Sequence, residues 1–215
     1  MGKIVLATII ISGSAKWLLN VDGNKEKWYG GDRIFMYVMT VFGAMTVNYS
    51  EQCTEYGWVV SNLRLLAGCL LAGGLLSAAY MDRRNCWVYN YVWWWCLPWA
   101  GILGMTAGGG FHGIVAVLVF VMLQQLLFSR MYGKADCHAF SVCALAECGN
   151  AVGMVGFLLQ MLLSVVLLTI VQLFRGNVTP RGRLREPQPF IPYIITAFFS
   201  VTFLESVFRT TYIYA

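Results

Sequence analysis

Long apolar runs separated by short polar turns follow one another along almost the whole chain, and few folds accept that pattern. A stretch of about 17–25 mostly apolar residues is the length of a helix crossing a bilayer. On that criterion the sequence predicts helices near 58–81, 87–107, 111–129, 137–152, 153–174 and 189–206, with two weaker candidates near 4–19 and 34–48. Apolar residues make up 59% of the chain and charged residues 12%, with a mean hydropathy of +0.65. A soluble domain carries about twice that share of charge. The expected fold is therefore all-α: a polytopic transmembrane bundle of six core helices plus one or two N-terminal helices. It divides into an N-terminal membrane extension (1–57), a core (58–206) and a short C-terminal tail (207–215).

Residues 4–19 admit two readings. Lys3, a short apolar run and the small residues Ser12 to Ala15 suit a secretory signal, whereas Lys16 followed by Trp17, Leu18 and Leu19 reads better as a helix end at an interface. The glycines at 108–110 and the pair Gly149-Asn150 are natural breaks. No repeat or low-complexity segment interrupts the pattern.

Basic residues set the expected orientation. With residue 82 on the cytosolic side, the loops on that side hold Arg83, Arg84, Arg130, Lys134, Arg175, Arg181, Arg183 and Arg185, joined by Lys25, Lys27 and Arg33. The opposing turns at 108–110 and 149–152 hold no Lys or Arg, and the 49–57 loop carries only Glu51 and Glu55. The net charge of +5 is spread over these loops, which is no nucleic-acid signal. The seven cysteines form no C-x-x-C pair, which argues against a zinc ribbon, a redox motif or a disulfide framework. His112 and His138 lie at opposite ends of the 111–129 run, so no metal-ligand spacing appears.

Two aspartates then stand out. Asp82 closes one apolar helix and Asp136, in Gly133-Lys134-Ala135-Asp136, opens another, and the charge bias puts both at the cytosolic border. Acids near a hydrocarbon core are expensive and tend to be functional. Two carboxylates that can meet and share a proton are the minimal equipment of an aspartic protease. At the headgroup boundary, water for hydrolysis is available.

At these residues the chain resembles the type IV prepilin peptidases, G-x-G-D aspartic intramembrane proteases. The family's first motif, an aspartate followed by a basic stretch and I-P-N, corresponds to Asp82-Arg83-Arg84 and Asn90. Its G-x-G-D-x-K motif corresponds to Gly133-Lys134-Ala135-Asp136-Cys137-His138, and its P-F-x-P to Pro189-Phe190-Ile191-Pro192. Ala135, Tyr89 and His138 replace the family's second glycine, proline and lysine. The resemblance spans roughly 58–206 and is to the short form, which lacks a cysteine-rich methyltransferase insert and serves tight-adherence (Flp-type) pili.

The resemblance implies a multi-pass protein of the bacterial cytoplasmic membrane that removes the short basic leader of pilin-like membrane preproteins at the cytosolic face. No cofactor or metal is implied, and no nucleic-acid partner. Asp82 and Asp136 would be catalytic, with Gly133, Ala135, Asn90, Glu147, Pro189 and Pro192 as candidates for the substrate groove.

Each residue also has a plainer reading. Asp82 reads as a helix-end charge paired with Arg83 or Arg84, and Asp136 as an N-cap. Glu147 lies eleven residues after Asp136, about 16 Å along the same helix face, where it suits a groove, a water path or a partner on a neighbouring helix. His138 points away from Asp136 and suits an interhelix contact. Arg64 is expected to snorkel outward towards Glu51 or Glu55. Gln124, Gln125 and Gln160 read as interhelical glue. Trp87 belongs to an interfacial belt, and Trp93, Trp94, Trp95 and Trp99 run round their helix towards lipid or neighbours. Pro189 and Pro192 suit a first helical turn.

Two other functions remain open at this level. A proton-coupled transporter would keep its acids near the midplane, unlike these border aspartates. A non-catalytic scaffold of a pilus machine would keep the fold without the activity. Patterns such as Gly104 to Gly108 are too common in membrane helices to establish an oligomer.

Overall fold

The helix Trp58–Asn85 forms the axis of the molecule: from Ala67 to Asp82 nearly every side chain is buried. A helix apolar all round must be surrounded, and this one is. The computed structural model describes residues 2–21, 30–52, 57–107, 111–126, 129, 133–148, 153–175 and 188–213. Among these residues the chain forms eight α-helices and no strand: α1 (Gly2–Asn20), α2 (Gly30–Gln52), α3 (Trp58–Asn85), α4 (Asn90–Thr106), α5 (Phe111–Leu126), α6 (Lys134–Glu147), α7 (Gly153–Phe174) and α8 (Ile191–Ile213). Four of them, α1, α3, α7 and α8, contain segments long and apolar enough to cross a membrane. The loops holding Lys25, Lys27, Arg130, Arg181, Arg183 and Arg185, the turns at 108–110 and 149–152, and Glu55 lie outside the described residues.

Around α3 pack α1, α2, α4 and α8; α6 packs on α4, α5, α7 and α8. Residues of α1 and α2, including Ala7, Ile11, Met36 and Ala44, join the same apolar core as α3 and α8. The two N-terminal helices are thus built into the bundle. Similarly, α8 runs on to Ile213, so residues 207–213 are helix rather than a separate tail. In lipid, apolar burial drives helix association weakly, and close backbone approach with interhelical hydrogen bonds carries more of it. Gly73 lets Ser14 of α1 lie against α3, and Gly104 of α4 sits against the backbone carbonyl of Leu145 in α6. A side chain at either position would collide. Ser77 donates to the Ala15 carbonyl at 3.3 Å, Tyr91 to Leu18 at 3.0 Å, and Trp95 to Leu70 at 3.2 Å. Such bonds average only about 0.6 kcal/mol each, so packing dominates. The exposed face of α7, with Leu158, Leu159, Leu162 and Leu173, is left for lipid.

Several expectations need correction at the level of single residues. Arg64 does not snorkel outward. It is 4% exposed and donates to the Leu103 carbonyl at 3.1 Å and to Thr106 at 2.9 Å, satisfying the carbonyl end of α4. The tryptophans divide sharply: Trp94 is exposed, Trp93 is buried, and Trp95 packs between Trp17 and Trp99.

Candidate active site

Asp82 does not end its helix but lies in the last turn of α3, which continues to Asn85. The turn is closed by Cys86, which adopts a left-handed conformation (φ 50°) while its N–H donates to the Asp82 carbonyl at 2.9 Å. That reversal swings Cys86, Trp87 and Val88 back towards the aspartate. The Asp82 side chain is buried, and its Oδ2 accepts a 2.9 Å hydrogen bond from the Ile191 N–H, with the Phe190 N–H as a further partner. Ile191 is the first residue of α8, where backbone donors have no partner inside the helix.

The ion-pair reading of Asp82 therefore fails. Arg83 turns to α2, with its Nε 3.2 Å from Asp32 and its guanidinium over the Phe35 ring. Arg84 lies over Tyr80 and donates to its hydroxyl at 3.3 Å.

Asp136 is not an N-cap either. It is the third residue of α6, and Gly133 occupies the cap position in an extended conformation. The Asp136 Oδ2 accepts the Gly133 N–H at 3.1 Å, the returning half of a capping box. A Cβ on Gly133 would sit 3.1 Å from that oxygen, so glycine lets the carboxylate fold over its own helix start. Ala135 is an ordinary helical residue with negative φ, so the backbone requires no glycine there.

Both aspartates line one cavity of about 710 Å³ at one end of the bundle, and the Asp82 charge acts on Asp136. Asn90, Gly133 and Ala135 line it too. The remaining candidates are elsewhere. Pro189 and Pro192 flank the α8 start without lining the cavity; Pro192, lacking an N–H, suits that first turn and presents the neighbouring Ile191 donor to Asp82. Glu147 accepts a 2.7 Å hydrogen bond from Thr202 of α8 and lines a separate cavity of about 50 Å³ with Arg64 and Thr46. It belongs to an interhelix contact remote from the pair.

Sequence reasoning missed Cys86, Trp87, Val88, Lys134 and Gln188 as cavity residues, along with Trp93 and His138. Gln188 directly precedes the Pro-Phe-x-Pro motif and accepts from Gln172 of α7 at 3.2 Å, and that adjacency was the available signal. His138 reaches the cavity although it points away from Asp136 on α6, because the cavity extends round the first turn of that helix to Trp93. Two carboxylates held by backbone donors on different helices, beside a space large enough for a peptide and water, can exchange protons with a bound carbonyl. No family model matches this chain, and neither the curated proteins nor the solved structures yield a match.

Proposed function

We propose that this chain is a membrane aspartic endopeptidase of the prepilin-peptidase type, removing a short basic leader from pilin-like preproteins at the cytosolic face of a bacterial cytoplasmic membrane. The observation that carries the reading is the convergence of Asp82 and Asp136, from α3 and α6, on one cavity. The three short motifs around Asp82, Asp136 and Phe190 support it, because the Asp82–Ile191 hydrogen bond links the first motif to the third.

In this mechanism one carboxylate takes a proton from water as its oxygen attacks the scissile carbonyl carbon. The other protonates the carbonyl oxygen; as the C–N bond breaks, the first gives the proton taken from water to the departing amine nitrogen, and the other regains its proton from the hydroxyl as the carbonyl re-forms. The pair titrates as a unit, so no proton is assigned to either residue. Lys134 stands at the cavity wall as a fixed positive charge.

The test uses membranes containing this protein and a small pilin-like preprotein from the same organism. Loss of the leader, read as a mass decrease ending at a single bond, is the expected result. An intact preprotein at matched expression would overturn the assignment.

A further inference from the structure

A second groove of about 360 Å³ adjoins the aspartate cavity, sharing Asn90, Trp93 and His138 with it. It lies between α4, α5 and α6 and extends along α4 as far as Leu97, seven residues beyond Asn90, or about 10 Å. Its walls are apolar: Trp94 is 74% and Leu97 48% exposed. No Asp, Glu, Lys or Arg lines it among the described residues, in contrast to the cavity with Asp82, Asp136 and Lys134.

Polar groups nevertheless stand inside it. Gln125 is exposed on a largely apolar helix, and its Nε2 lies 3.4 Å from Nδ1 of His138, a long contact; its side-chain amide oxygen has no partner among the described residues, which leaves hydrogen-bonding capacity for a ligand. Lipid chains offer such groups nothing, and an unsatisfied polar group in hydrocarbon costs several kcal/mol. A folded substrate helix would offer nothing either, since its backbone bonds are internal. An unwound apolar peptide offers apolar side chains together with free N–H and C=O groups, and about 10 Å holds roughly three extended residues.

We propose that this groove binds, in non-helical form, the apolar residues that directly follow the scissile bond of a membrane-inserted substrate, with Gln125 and His138 holding their backbone groups. The proposal rests on the proteolytic reading of the adjoining cavity. Gln125 and His138 are specificity-determining and positioning residues, and the uncharged groove selects a substrate that turns apolar immediately after the cut.

The probe is a reporter with a short Lys/Arg-rich leader, then the glycine before the cut and the apolar helix after it that the family resemblance implies, built of Leu and Ala and presented to the full chain in vesicles. A photo-crosslinking residue replaces Leu97 in the Asp136→Asn protein, with Leu162 on the exposed face of α7 as control. Crosslinks from position 97, not 162, to the first residues after the glycine are expected. In the otherwise unaltered protein, Gln125→Leu and His138→Leu should each raise KM by about three- to tenfold with kcat nearly constant. Cleavage of the reporter without crosslinks at 97, or with KM unchanged in both variants, overturns the groove and leaves the protease standing. Crosslinks at 97 without cleavage by the unaltered protein support the groove as a peptide site and overturn the protease. Neither crosslinks nor cleavage overturns both.

Discussion

Asp82 and Ile191, 109 residues apart in the chain, are joined by a 2.9 Å hydrogen bond from the backbone N–H of one to the carboxylate of the other. That single contact fastens the end of α3 to the beginning of α8. It also gives the aspartate two separable roles, as a structural acceptor and as a candidate proton carrier.

Separating the roles requires two substitutions. Asparagine keeps an acceptor for Ile191, whereas alanine leaves a buried N–H without its partner, at a cost of about 1–3 kcal/mol. Asp82→Ala should lower the thermal unfolding midpoint of the purified protein clearly below that of Asp82→Asn. Equal midpoints would show that the bond contributes nothing to stability.

For chemistry the two variants should be alike. Asp82→Asn and Asp136→Asn should each reduce leader cleavage by at least about 100-fold, the lower range of general acid–base contributions, while remaining inserted and folded. Substantial cleavage by either variant at matched membrane levels removes that residue from the catalytic pair.

Cys86 offers a readout of the same cavity that needs no substrate. Burial pushes its thiol up from the ordinary value, and the Asp82 carboxylate adds to the shift. Only the thiolate reacts, so alkylation should be slow near neutrality and still be accelerating above about pH 9, where an ordinary thiol levels off. Removing the neighbouring charge lowers the thiol pKa again, so Asp82→Asn should speed alkylation at fixed pH. An unchanged rate in that variant would show that the carboxylate does not act on Cys86. Cys137, though next to Asp136, is fully buried and should be labelled far more slowly.

Gly104 and Gly101 lie one turn apart on α4 but should respond oppositely to alanine. A methyl at 104 meets the Leu145 carbonyl and Cys148, while one at 101 meets nothing within 4 Å. Gly104→Ala should destabilise by about 1–3 kcal/mol through overpacking. Gly101→Ala should be neutral or stabilise by up to about 1 kcal/mol from helix propensity. Thermal unfolding of the two variants decides it, and similar losses would mean that α4 and α6 are not in close contact.

Every helix was legible in the sequence because a long apolar run has a single economical conformation, and the weaker runs near 4–19 and 34–48 prove to be α1 and α2. Boundaries were less legible. The Asp82 helix continues through two arginines whose side chains find Tyr80, one turn back, and Asp32 of α2, a partner on no local pattern. The convergence of Asp82, Asp136, Asn90 and Gly133 followed from short motifs, which mark residues held by backbone geometry. For Glu147, helical spacing gave a face and a depth and left groove, water path and interhelix partner open; the partner, Thr202 of α8, is what spacing alone could not name. Trp87 and Cys86 escaped because they enter the cavity through the chain reversal at the left-handed Cys86, and Gln188 because its place depends on how α8 starts against α7.

The contact between Arg83 and Asp32 has an electrical meaning beyond its modest strength. With Arg83 38% and Asp32 15% exposed, it adds little to stability. Yet an untethered guanidinium one residue from Asp82 would be a further counter-ion for the carboxylate pair. Drawn aside onto α2, it leaves Lys134 as the one Lys or Arg on the described cavity wall beside the two acids. The motif-free first helices thus work as insulation, keeping one further positive charge off a cavity wall to which none of their described residues contributes.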